Sequence, residues 1–240
     1  MNDFGLSKLF DSIGGALSIF DFSFFISGSI TLSILLTDIC AHFGVSWFDV
    51  PKAWPGWIGV VVLLMAIYIC GLIAWMLGRD LRAGFLPSVD DGTDNSRAEN
   101  DFIRVYDKYA ENLEMATDTT IPHFKNKADI YSYMWIRLDS IKGNVNVKNR
   151  LNYCNRMWVM RAMFEGLLFA WLLAIVVLAD LTLTCNLLNS VNFVYLIILF
   201  LFLVMLMYFS AKRATAYAHD QVKEIVIAYK IYVFEGREKA

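Results

Sequence analysis

Charge is scarce in this sequence. Asp, Glu, Lys and Arg make up 18% of its 240 residues, against roughly 25% in an ordinary soluble domain. The shortage is concentrated in a few long uncharged runs, a pattern of membrane spans and not of one large water-soluble core. A net formal charge of −2 supplies no field to attract nucleic acid, and none is expected as a partner. Proline occurs four times, and no low-complexity tract or internal repeat is visible. Cysteine is equally sparse, at four residues, with no C-x-x-C pair and no Cys/His ligand spacing. Neither a metal site nor a cofactor is therefore expected. Gly14, Gly15, Gly56 and Gly59 match no phosphate-cradling loop, and His42, His123 and His219 are scattered over three regions. No catalytic residues are assigned, and the chain does not read as an enzyme.

What the sequence has in abundance is long apolar segments. Four qualify as spans: Phe22–Thr37, Ile58–Leu77, about Met163–Thr184, and Val191–Ala211. A hydrocarbon core of about 30 Å takes about 20 helical residues. The second and fourth fit unaided, whereas the first and third need their acidic ends near the interfaces. The runs are continuous, unlike the short alternating segments of a barrel. The expected fold is an all-α membrane protein with four transmembrane helices. Basic residues flank the spans on one side: Arg79 and Arg82, then Lys148, Arg150, Arg156 and Arg161, then Lys212 and Arg213. Lys52 alone lies on the other side. The positive-inside rule puts both termini in the cytoplasm, with Trp47, Trp54 and Trp57 forming an aromatic belt at the outer interface. Cys40 and Cys185 lie at the outer ends of spans, where they would form either a disulfide or two separate thiols.

Five regions follow. Residues 1–20 carry Leu6, Leu9, Phe10, Ile13, Leu17 and Phe20 at helical spacing and predict an amphipathic helix on the membrane surface. There is no cleavable signal peptide pattern. Residues 21–78 and 162–211 are two transmembrane hairpins. Residues 79–161 form a cytoplasmic helical insert. Within it, 88–96 is a flexible link, a helix follows from Ser96 through Leu113, and a second runs about 127–142 up to Gly143. A third starts near Lys148 and continues into span three. Residues 212–240 continue span four as a cytoplasmic helix, with Val222, Ile225, Val226, Tyr229 and Tyr232 as one wall of a helical bundle.

Span one is unusually polar. Ser23, Ser27, Ser29, Thr31, Ser33 and Thr37 place six hydroxyls in one helix, bracketed by Asp21 and Asp38. Hydroxyls in a span bond back to the preceding turn, pack against another helix or line water. Glu165 and Asp180 lie within span three, where a carboxylate should face protein or water; Arg161 and Glu165, four apart, are placed to pair at the inner rim. These ten residues are the candidate polar path. Ala66, Cys70, Ala74 and Gly78 in span two, and Gly166, Ala170 and Ala174 in span three, repeat small side chains every fourth residue and are the candidate helix-packing positions. Arg213 and His219 match the Arg-x5-His spacing of helical ribonucleases of the HEPN class. An interfacial arginine beside an unrelated histidine accounts for them more simply.

The helix RLNYCNRMWVMRAMFEG entering a hairpin, with SAKRATAYAHDQVKEIVIAYKIY leaving it, resembles small bacterial membrane effectors of anti-phage and nucleotide-signalling conflict systems, including SLATT-type hairpin proteins. The resemblance covers about residues 148–235 and rests on arrangement. It implies an oligomer that permeabilises or depolarises the bacterial inner membrane in antiviral defence, and with the hydroxyl-rich span one as polar path the favoured reading is a homo-oligomeric, pore- or channel-like effector gated through its cytoplasmic helices. It transfers no functional residue. The alternative from the residues themselves is a non-conducting membrane anchor that recruits a cytosolic protein through 96–142 and 212–235.

Overall fold

The structure, a computed structural model, describes residues 19–44, 56–85, 127–141, 143–184 and 193–234. Among these residues the chain is all-helical, and four of its helices are long and apolar enough to cross a membrane. In chain order the helices are α1 (Ile19–Phe43), α2 (Gly56–Phe85), α3 (Lys127–Ser140), α4 (Val145–Thr184) and α5 (Phe193–Tyr229), followed by a π-helical turn over Lys230–Phe234. The amphipathic helix expected over 1–20, Trp47 and Trp54, the link 88–96, the helix 96–113, His123 and Cys185 lie outside the described residues.

Local chemistry sets several of the helix ends. Gly44 follows α1 at φ 62°, a left-handed conformation that glycine adopts without a Cβ penalty and that closes a helix C-terminus. Asn144 caps α4: its Oδ1 accepts the backbone N–H of Asn146 at 2.9 Å. The turn joining α3 to α4 is held by the Ile141 N–H on the Leu138 carbonyl and the Asn144 N–H on the Ile141 carbonyl. At 40 residues, α4 is about 60 Å long at 1.5 Å per residue, roughly twice the hydrocarbon thickness. Only its uncharged half is needed to span. The same holds for α5, which is apolar to Phe209 and charged from Lys212 onward.

The chain divides into two compact units, Met1–Phe85 with Ala162–Ala214, and Leu86–Arg161 with Thr215–Ala240. α4 and α5 each contribute one stretch to both.

In the first unit the helices meet through glycines. A Cβ placed on Gly28 of α1 would overlap the Ile67 carbonyl oxygen of α2, and one on Gly71 would overlap the carbonyl oxygen of Phe24. The two backbones therefore touch where Gly28 and Gly71 cross. A Cβ on Gly78 would meet the Glu165 carbonyl, and one on Gly166 would come within 2.6 Å of the Ser27 side chain. Small residues thus bring α1, α2 and α4 together by close packing, the main attraction available between helices in lipid. α5 is joined to α4 by the Trp171 indole N–H on Ser210 Oγ, 3.2 Å, and by an edge-on contact of Phe164 with Phe209. Its outer surface, including Ile198, Leu201 and Met205, is exposed, as is the Val60–Met65 stretch of α2. So continuous an apolar surface is stable only against lipid or another chain.

The second unit has its own core. Met134 and Leu138 of α3, Val147, Leu151 and Cys154 of α4, and Val222, Ile225, Val226 and Tyr229 of α5 bury one another. Tyr131 adds a hydroxyl that accepts from the Gln221 amide at 2.9 Å.

Candidate functional site

The hydroxyls of α1 fall into two rows. At 100° per residue, Ser23, Ser27 and Thr31 form one stripe, and Ser29, Ser33 and Thr37 form another about a third of a turn away. The first stripe is buried: Ser23, Ser27 and Thr31 are 1%, 0% and 3% exposed. Their own helix accepts from two of them. Ser27 Oγ donates to the Ser23 carbonyl at 3.2 Å, and Thr31 Oγ1 donates to the Ser27 carbonyl at 2.8 Å. Within this chain all three are buried, and Ser27 packs on α4 at Gly166. The second stripe is outward. Ser33 and Thr37 are exposed, and Ser29 is half-buried with its hydroxyl on the Ile26 carbonyl. Asp21 lies within α1, but its side chain is outside the described residues.

Glu165 is the most deeply held carboxylate of the candidate path. Its Oε1 accepts the Arg82 Nε–H at 2.9 Å and its Oε2 accepts the Trp75 indole N–H at 3.0 Å. Arg82 and Glu165 are 4% and 1% exposed. Gly78 creates this arrangement, because its missing side chain lets the α2 backbone lie on Glu165 itself. The structure places Arg82 of α2 on Glu165, a partner to which the i, i+4 spacing from Arg161 does not point. Nearby, Arg79 stacks on the Trp75 ring.

At the opposite ends of α1 and α4, Asp38, His42 and Asp180 come together. His42 Nδ1 lies 3.0 Å from the Asp38 carbonyl oxygen and 3.6 Å from Asp38 Oδ1, while Nε2 lies 3.2 Å from Asp180 Oδ2. Asp38 and Asp180 were singled out one at a time, and His42 was not. No spacing rule could have joined them, because Asp180 arrives from a distant part of the chain; the i, i+4 step from Asp38 to His42 on one helix face was the only local signal.

Of the small-residue positions, Ala74, Gly78, Gly166 and Ala170 are buried, and Ala66, Cys70 and Ala174 are half-buried. Gly71, which makes the closest approach to α1, lies one residue off that ladder. Its signal was its type, a glycine facing another glycine across two spans. Cys40 is a buried free thiol.

The second unit holds a cleft of about 440 Å³ lined by Asn146, Asn149, Arg150, Tyr153, Glu224 and Tyr232. Arg150 Nη1 pairs with Glu224 Oε2 across it at 2.7 Å. Burial pushes the Cys154 thiol up to about 12, with Glu224 adding to the effect and Arg150 opposing it. Burial likewise raises the Tyr131 hydroxyl, helped by Cys154 and opposed by the Gln221 hydrogen bond and Arg161. Arg213 lies over the Phe209 ring, 5.1 Å from its centroid, and His219 is 3.9 Å from its neighbour Asp220. The chain matches no family model, and no curated protein or solved structure is similar to it.

Proposed function

We propose that the chain is a multi-span anchor of the bacterial inner membrane that conducts nothing and holds a helical bundle in the cytoplasm for a protein partner. One observation carries this reading: Ser23, Ser27 and Thr31 of α1 are buried, and the hydroxyls of Ser27 and Thr31 are bonded to carbonyls of their own helix. A polar stripe used in this way glues helices together. The basic residues of 79–161 and of 212–213 argue for a cytoplasmic bundle and cytoplasmic termini. The cleft around the Arg150–Glu224 pair, with its two tyrosines and two asparagines, is the part of that bundle best suited to polar and aromatic contact. Purified protein in liposomes should pass neither ions nor dye above the level of protein-free vesicles. Sustained flux would sink this reading.

A second reading is a homo-oligomeric pore, the effector that the hairpin layout resembles. The outward stripe of Ser29, Ser33 and Thr37 supports it, because several copies around an axis would turn that stripe toward a shared path. In that case flux should occur, should fall in Ser33→Leu, and should persist in Ser27→Ala. Detergent-solubilised protein would also run as a defined oligomer.

A further inference from the structure

The geometry points to a divalent-cation site formed by Asp38, His42 and Asp180, which would clasp the ends of α1 and α4 together. A carbonyl oxygen only accepts, so the 3.0 Å contact of His42 Nδ1 with the Asp38 backbone oxygen puts the ring proton on Nδ1. Nε2 then presents its lone pair, and it does so 3.2 Å from the carboxylate oxygen of Asp180. Two lone pairs at that separation need positive charge beside them.

A second proton on the ring would meet that need for one contact only. The third donor, Asp38 Oδ1, is a buried atom with no hydrogen-bond partner among the described residues. One ligand atom from each of the three residues lies within 4.8 Å of the others, so a small closing movement of the side chains brings all three to metal–ligand distances of about 2.0–2.2 Å. A dication answers all three donors at once and balances two carboxylate charges. The Nδ1–H on a backbone carbonyl is also the support that orients metal-binding histidines and fixes their tautomer. One imidazole and two carboxylates, partly open to water, suit zinc or manganese, with water completing the shell. The imidazole disfavours magnesium and calcium.

This inference does not rest on the anchor or the pore reading, since metal binding is measured without a membrane potential or a partner. The full-length chain, purified in detergent and stripped with EDTA, is titrated calorimetrically with Zn²⁺ alone. The expected result is one ion per chain, affinity reduced at least tenfold in both His42→Ala and Asp180→Asn, and no change in Ser33→Ala. Zn²⁺ should raise the melting temperature of the parent chain by several degrees and leave that of Asp180→Asn unmoved. Circular dichroism and gel filtration confirm that each variant is folded; Asp180→Asn, which keeps size and shape, serves if His42→Ala is not. Absence of binding by the parent chain, equal binding by the folded variants, or equally tight binding of Mg²⁺ overturns the proposal.

Discussion

At the scale of single residues, the buried Arg82–Glu165 pair carries the most consequence. Each ion depends on the other, because desolvated charge is tolerated only when it is matched. Arg82→Met removes the buried cation bonded to Glu165 Oε1 and should destabilise the protein by about 3–5 kcal/mol. Adding Glu165→Gln should recover much of that loss, because the stranded charge is gone. Denaturant or thermal unfolding in detergent, run as a double-mutant cycle, checks both statements. Cys154 gives a second test. Its thiol rises from 9.0 in the unfolded chain to about 12 in the fold. The folded state therefore keeps its proton while the unfolded state loses it. The associated stability is complete below about pH 9 and is lost as pH climbs toward 12, since the unfolded chain then binds fewer protons. Tyr131 shifts in the same direction and steepens the decline. Helix content followed against pH should fall earlier in the parent chain than in Cys154→Ala with Tyr131→Phe, compared after correction for their stability at pH 7. Iodoacetamide should also modify Cys154 far more slowly in the folded than in the unfolded protein.

At the scale of helices, the decisive positions are the ones with no side chain. Gly71→Ala puts a methyl into the Phe24 carbonyl of the facing helix, an overlap with backbone that no rotamer change relieves. A cost of about 1–3 kcal/mol or more is expected, the range for overpacked interiors. Gly56→Ala meets nothing within 4 Å and should stay within about 0.5 kcal/mol of the parent. Thermal melts of the two variants decide the matter.

The same contacts explain how far the sequence could be read. The spans were legible because hydropathy accumulates along a run, and so was the exit of α5 as one continuous helix with Ile225, Val226 and Tyr229 on a single stripe. The start of α4 was legible to within a few residues, near Lys148 against the observed Val145. Partner choice across helices was not legible. Arg82 reaches Glu165 from another helix because Gly78 lets that helix lie close, and no spacing along the chain points to it. Likewise, the six hydroxyls counted as one polar surface, although a helix turning 100° per residue deals them onto two faces. Periodicity identifies a stripe, but burial depends on which neighbour meets it.

At the scale of the whole molecule, the exposed apolar surfaces of α2 and α5 match the interior of a membrane in length and composition. Leu201 stands on the α5 surface at 59% exposure, whereas Leu203 is 8% exposed. Leu201→Arg should reduce membrane insertion by about 2.5–3.5 kcal/mol, as read from the inserted fraction in a glycosylation-mapping assay. Leu201→Phe should insert normally.

α4 and α5 run from one unit into the other without a proline, and α5 has no glycine either. Such rods have few places to absorb a twist. Within the first unit, torque applied at Phe193 is delivered along an unbroken shaft to Ser210 and its tie to Trp171, so that stretch of α5 should turn as one axle.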